Sequence, residues 1–184
     1  RFNRNKNMQI IVPMSGFGER FRSAGYKIPK PLIIVDNKTI IEHIIDMFPG
    51  ETNFTFICNS YHLEQDDFRM REILESACPN GKIVPIAGHK LGPVHTVLQG
   101  IDHIDLTRPT IVNYSDFTCF WDYPNFKELV VKSDCDGAIP CYRGFHPHTL
   151  WSNYYAYVRE KHNIALDIQE KKPFTDDPVN EFAS

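Results

Sequence analysis

The sequence holds no apolar run approaching the roughly 20 residues of a membrane span. Its first residues, RFNRNKNMQ, lack the apolar core of a signal peptide. An excess of cations is missing too: 20 Lys and Arg stand against 23 Asp and Glu, for a net charge of -3. That argues against a nucleic-acid binder, whose affinity rests on a basic face neutralising phosphates. A small anionic ligand is still served by a few local cations. The five cysteines (Cys58, Cys78, Cys119, Cys135 and Cys141) are odd in number and show no Cys-x-x-Cys spacing. Neither a zinc knuckle nor a redox dithiol is indicated. Read as small core residues, most of them fit a reducing compartment. A cytoplasmic protein with no membrane and no nucleic-acid partner is expected. Repeats and low-complexity segments are also missing.

What is present suits one packed domain or a large part of one: 184 residues, 42% hydrophobic, 23% charged. Apolar runs alternate with amphipathic stretches. Residues 9–14 (QIIVPM), 53–59, 82–87 and 109–114 read as strands. Residues 39–48, 62–78, 92–104 and 122–132 read as helices. Thr39 and Glu42 form a capping box, with Pro49-Gly50 as the stop. Met70, Ile73, Leu74 and Ala77 share one helical face, as do Val94, Val97, Leu98, Ile101 and Ile104. Strand–helix alternation with continuous apolar strands implies an α/β fold whose mainly parallel sheet is covered on both faces. After residue 136 the pattern changes. GAIPCYRG, NYYAYVRE and NIALDIQE read as strands, the last two joined by a turn at Lys161-His162-Asn163, so a β-rich region is appended.

The stretch PMSGFGERFRSAGYKIPKPLI (13–33) follows the first strand. Ligands of open α/β sheets bind beyond the carboxyl ends of strands. Gly16 and Gly18 lack Cβ atoms, so their amides can approach a phosphate closely. Arg20 adds a bidentate fork. A dinucleotide fingerprint would need glycine where Phe21 stands, and no glycine obeys the Walker spacing. An ordinary strand-to-helix turn would explain Gly-x-Gly-x-Arg alone. Pro29 and Pro31, however, restrict the backbone on either side of Lys30, and a fixed lysine beside such a loop suits a polyphosphate.

PMSGFGERF followed by PKPLI resembles the signature of sugar-phosphate nucleotidyltransferases, LAGGxGTRL…PKPL. NKTIIEHIIDMF, KLGPVHTVLQGI, TIVNYSDF and IQEKKPF resemble further elements of that family, in the same order and across nearly the whole chain. The resemblance implies a Rossmann-like, GT-A-like sheet with an appended β region. The activity it implies is Mg²⁺-dependent transfer of a nucleotide from a nucleoside triphosphate to a phosphorylated sugar or other small phosphorylated acceptor, releasing pyrophosphate. Ser15, Gly16, Phe17, Gly18, Glu19, Arg20, Lys30 and Gly92 would line the nucleotide site. Arg20 would neutralise the leaving pyrophosphate, Lys30 would bridge to the α-phosphate, and Asp116 would ligate Mg²⁺. Lys171 would bind the acceptor phosphate, with Glu170 and Tyr142 beside it. A homo-oligomer is admitted. One domain is expected over residues 8–184, with residues 1–7 as tag or linker; the second metal-binding aspartate and the rest of the fold would lie beyond Ser184.

The sequence departs from the family in places. Glu19 replaces the usual Thr, and an acid beside a triphosphate is unfavourable unless it points away. Ser15 stands where many members have Gly. The glutamine that often precedes the base-contacting glycine is absent, Ala87 occupying that position, which leaves the base open. Phe21 is more usual in cytidylyltransferases.

Alternatives stay open. Asp116 could cap a turn, and Lys171 could belong to a solvated loop. His146 and His148 do not complete a metal site, and the aromatic set Tyr142, Trp151, Tyr154, Tyr155 and Tyr157 suits strand pairing. The Asp134-Cys135-Asp136 string would suit a glycosyltransferase, although it follows a helix and leaves Lys30 unexplained. A non-catalytic nucleotide-binding module would explain Glu19. The acceptor could be a sugar 1-phosphate for capsule polysaccharide or another glycoconjugate, or a non-sugar phosphate used by a cytidylyltransferase.

Overall fold

The computed structural model describes residues 7–133, 135–144 and 155–184. The chain divides into two compact units, one ending at Leu129 and one spanning Val130–Ser184.

The first unit is built on a parallel sheet. Strand β1 (Gln9–Met14) is buried at all six positions and carries the glycine loop at its end. The short helix α1 (Glu19–Ser23) follows, with Gly18 as its N-cap in the left-handed region (φ 63°), where a side chain would be strained. Lys30–Leu32 form a single 3₁₀ turn whose Pro31 and Leu32 are buried. A two-stranded hairpin, β2 (Ile34–Val35) and β3 (Lys38–Thr39), turns at Asp36-Asn37, both with positive φ. Helix α2 (Ile40–Asp46) has the expected capping box, reciprocal between Thr39 and Glu42, and buries Ile41 and Ile44. Strand β4 (Phe54–Asn59) is again buried throughout.

Residues 62–78 do not form the single helix expected of them. Helix α3 (Ser60–Glu64), a 3₁₀ turn (Asp66–Phe68) and α4 (Met70–Ala77) replace it, and Arg69 breaks the run at φ 47°. Only α4 keeps the apolar periodicity, with Met70 and Leu74 buried. Strand β5 (Lys82–Ile86) leads to α5 (Pro93–Gln99), which stops at Gly100, and a separate 3₁₀ turn covers Ile101–His103. Here the expected apolar face holds only in part: Val97 and Ile104 pack against the core. Val94 and Leu98 are exposed, and the buried residue of α5 is Thr96. Strand β6 (Thr110–Val112) and helix α6 (Tyr123–Ser133) follow.

The sheet order is β5-β4-β1-β6, all parallel. This is the strand sequence 3-2-1-4 of a Rossmann-like half, and the order reverses beside β1. The crevice at the ends of β1 and β6 is therefore where a ligand is expected. Ile11, Ile57 and Val84 form a core layer, with Ile86, Val97 and Ile104 packed against it.

In the second unit β7 (Ala156–Lys161) pairs antiparallel with β8 (Ile164–Glu170) and with β9 (Phe182–Ala183). The hairpin turn falls where the sequence placed it, at His162 and Asn163, both left-handed. GAIPCYRG is no strand: it contributes one isolated bridge, Tyr142 to Ala183. His146, His148, Trp151, Tyr154 and Asp134 lie outside the described residues.

Of the cysteines, Cys58 and Cys78 are buried, Cys119 and Cys141 half-buried and Cys135 exposed; all are free. Burial pushes the Cys58 thiol up to about 12, so it is inert packing. No helix among the described residues is long and apolar enough to cross a membrane.

Candidate functional site

A cleft of about 460 Å³ opens at the carboxyl ends of the parallel strands, a size usual for a small-molecule site. Its floor is the run Pro13–Gly18 leaving β1. One wall is Arg22 with Lys27–Pro31; Tyr61 and His62 come from α3 and Phe68 from the 3₁₀ turn after it. His89, Gly92, Pro93 and Thr96 form the opposite wall, and Tyr114–Asp116 leave β6.

Lys30 is held by its proline-flanked turn, a quarter exposed, and its Nζ forms an ion pair with Oδ2 of Asp116. The same ammonium lies 4.6 Å above the Phe21 ring. Asn113 holds the loop that delivers Asp116: its buried amide donates to the carbonyls of Tyr114 (2.9 Å) and Phe117 (3.1 Å). Ion pairs this exposed contribute at most about 1 kcal/mol, so a ligand can separate Lys30 from Asp116 at small cost.

Ser15 does not face solvent. Its Oγ lies 2.7 Å from Thr96 Oγ1 and 3.2 Å from His89 Nε2, and Thr96 Oγ1 is itself 3.1 Å from His89 Nε2. Leu91 N–H donates to His89 Nδ1 at 3.1 Å. Burial, and then the neighbouring His95, hold the His89 imidazole below its ordinary range. Gly88 is packed against Phe17 and Asn59, which fixes the glycine loop against the loop after β5. Gly16 has open space where a Cβ would stand, and Gly92 has φ 87°.

The structure gathers Ser15, Gly16, Phe17, Gly18, Lys30, Gly92 and Asp116 at one cleft. Glu19 and Arg20 are not among the lining residues. Glu19 pairs with Lys90 at 2.6 Å, and that hydrogen bond holds its carboxyl below the usual range. Its charge is thus neutralised away from the cleft. Gly18 starts α1, so Arg20 and Arg22 sit about 200° apart around the helix, and Arg22 is the one that lines the cleft. Arg22 and Lys27, like His89 and Thr96, were not picked out from the sequence. The helix phase set by Gly18 could have indicated Arg22.

Among the described residues no three His, Cys, Asp or Glu side chains converge as a metal cage. Asp116 is a single hard carboxylate facing the glycine loop. Mg²⁺ commonly takes one or two carboxylates plus phosphate oxygens and waters. The site therefore fits a Mg²⁺ that arrives with a polyphosphate.

In the second unit, the Tyr155 carbonyl accepts Lys171 N–H at 2.9 Å. The Tyr155 ring meets the Tyr142 ring edge-on at 6.3 Å. Lys171 has φ 59° and its Nζ lies 3.5 Å from Glu170. Lys171 and Tyr142 thus both meet Tyr155, and Glu170 is paired with Lys171.

No protein-family model matches the chain. The bifunctional protein GlmU of Ralstonia nicotianae is 28% identical over 109 residues, covering 59% of this chain and 22% of that protein. The chain thus spans roughly a fifth of that curated relative's length. A solved UDP-glucose pyrophosphorylase in complex with UDP-glucose aligns with a TM-score of 0.68 at 18% identity, over 97% of this chain and 74% of the other. The nucleoside-diphosphate-sugar pyrophosphorylase of Vibrio cholerae RC9 aligns at 0.63 and 17% identity, over 95% and 72%. For the inositol-1-phosphate CTP transferase of T. maritima the values are 0.64 and 15%, over 96% and 67%. At these identities the likeness establishes the fold, which is that of the sugar-phosphate nucleotidyltransferases.

Proposed function

We propose that this fold serves the chemistry its neighbours are named for. The cleft takes a nucleoside triphosphate with Mg²⁺ and transfers the nucleotidyl group to a phosphorylated acceptor, releasing pyrophosphate. The observation that carries this reading is the convergence of Lys30 and Asp116 on the glycine loop at the switch point between β1 and β6.

A phosphomonoester has a second pKa near ~6, so the acceptor is already nucleophilic at neutral pH and no strong general base is required. The task is to bring two anions together and to stabilise charge on phosphorus and the leaving group. The amides of Gly16 and Gly18 supply dipoles directed at the phosphates. Lys30 gives up Asp116 for the α-phosphate, and Arg22 and Lys27 face the phosphate chain. Arg20, which does not line the cleft here, is assigned to the leaving pyrophosphate by the resemblance. Asp116 would hold the Mg²⁺, which supplies charge neutralisation across the phosphates when bound. Gly92 and Pro93 border the space left for the base. Lys171, Glu170 and Tyr142 are assigned to the acceptor.

The acceptor class is a sugar 1-phosphate or similar small phosphate, and the product an activated precursor for capsule polysaccharide or another glycoconjugate. The protein would act in the cytoplasm.

The test is pyrophosphate release from a panel of triphosphates and phosphorylated acceptors with Mg²⁺. Lys30→Ala and Asp116→Asn should each lower turnover at least ~100-fold, while each shifts stability by no more than about 1 kcal/mol. Near-normal release from both variants would refute the assigned site.

A further inference from the structure

Ser15 and Thr96 are 1% and 3% exposed, so their hydroxyls have no water to fall back on. Both depend on His89 and on each other. The three groups come from three places: the end of β1, the loop after β5, and α5. Ser15 directly precedes Gly16 of the phosphate loop, and Leu91 directly precedes Gly92 on the opposite wall. One imidazole therefore ties the floor of the cleft, at Ser15, to the wall made by Leu91–Thr96.

Its tautomer is fixed by the donors around it. Leu91 N–H points at Nδ1, so Nδ1 carries a lone pair and the ring proton is on Nε2. That proton is donated to the hydroxyl pair of Ser15 and Thr96. The remaining hydroxyl hydrogens are placed between the two oxygens and on the Gly92 carbonyl, 3.4 Å from Thr96 Oγ1. Every polar position of the neutral ring is used. A second proton would face Nδ1–H against Leu91 N–H, donor against donor, and the hydrogen bond would be lost.

We infer that His89 is a positioning residue that locks the Leu91–Gly92 wall of the nucleotide cleft to the floor at Ser15 while its imidazole is neutral, and releases that wall when protonated. This rests on the reading of the cleft as a nucleotide site. The surroundings favour the neutral ring. The His95 ring lies 4.6 Å away at 82°. Lys90 is adjacent and tied to Glu19. Arg22, Lys27, His62 and the Lys30–Asp116 pair face the same cleft. Burial then holds the imidazole below its ordinary range.

Two measurements test this together. In the ligand-free protein, the Leu91 amide should be protected from hydrogen exchange at about pH 7.5. At about pH 5.5 its protection should be at least ~10-fold lower. In His89→Ala, protection should be lost at both values. The second measurement is the Kd for the triphosphate that binds in the presence of Mg²⁺, taken over the same range. His89→Asn keeps an acceptor for Leu91 N–H but cannot titrate. Triphosphate protonation acts equally on both proteins, so the wild type should lose at least ~10-fold more affinity than His89→Asn as pH falls. At high pH His89→Ala should raise KM at least ~10-fold with kcat within ~3-fold. An unprotected Leu91 amide in the wild type at about pH 7.5, or parallel pH profiles for wild type and His89→Asn, overturns the inference. If Leu91 exchange follows His89 but no triphosphate binds at any pH, the lock stands and the nucleotide reading, with its affinity consequence, is refuted.

Discussion

Replacing Gly88 by alanine would put a Cβ 2.4 Å from Nδ2 of Asn59 and 2.8 Å from the ring of Phe17. Asn59 cannot give way: it is 1% exposed, and its Oδ1 holds Tyr61 N–H at 3.1 Å. The displacement therefore falls on Phe17, inside the glycine loop. Overpacking of this kind costs about 1–3 kcal/mol. At about 2–4 °C per kcal/mol for a chain of this size, the melting midpoint should fall by about 2–12 °C. Triphosphate affinity should fall with it, because the loop moves. Gly16→Ala is the counterpart. A Cβ there meets nothing within 4 Å, and Gly16 is outside the left-handed region, so the fold loses nothing and can gain about 0.4–1 kcal/mol. The added methyl stands where a phosphate oxygen must approach the amide. Affinity should therefore fall at least ~10-fold, about 1.4 kcal/mol. Thermal melts and calorimetric titration of both variants give the two readouts. A Gly88→Ala protein that melts like the wild type, or a Gly16→Ala protein that binds triphosphate undiminished, would refute the argument.

Other expected outcomes follow from the same contacts. His62 and His89 are both held below the ordinary imidazole range, chiefly by burial. Each binds fewer protons folded than unfolded. Stability is therefore full above the unfolded imidazole value near ~6.5 and declines as pH falls through it. The urea midpoint should drop between about pH 7.5 and 5, ahead of the carboxylate titrations near ~4; a rise over that interval would contradict the assignment. Thr39→Ala removes the cap of α2 and should cost about 1 kcal/mol, read as a lower denaturation midpoint with unchanged triphosphate affinity.

The sequence made the sheet legible where burial is complete. Strands β1 and β4 are apolar runs because helices cover both faces, so no alternation is needed to recognise them. The capping box of α2 and the His162-Asn163 turn are local signals, and both hold. The signals that failed are ones decided by distant partners. Thr96 is buried because Ser15 and His89 meet its hydroxyl from 81 and 7 residues away, which no apolar periodicity on α5 can reveal. Arg69 enters the left-handed region and splits an otherwise helical run. The Asp36-Asn37 hairpin joins strands too short to show a period of two. At the candidate cleft, residue types and spacing singled out Lys30, Asp116 and the glycine loop, since those features are local or follow strand ends. Which arginine of α1 lines the cleft depended on helix phase, and His89 depended on a packing contact across the sheet.

The most direct measurement is thermal stability of the protein with CTP, UTP, dTTP, GTP and ATP, each with and without Mg²⁺. A ligand that binds the native state alone raises the melting midpoint, by about 2.7 kcal/mol of stability at 100-fold its Kd. One triphosphate should give a Mg²⁺-dependent rise that Asp116→Asn abolishes. No rise with any triphosphate, alongside a rise with sugar nucleotides and Mn²⁺, would contradict the account and favour a glycosyltransferase.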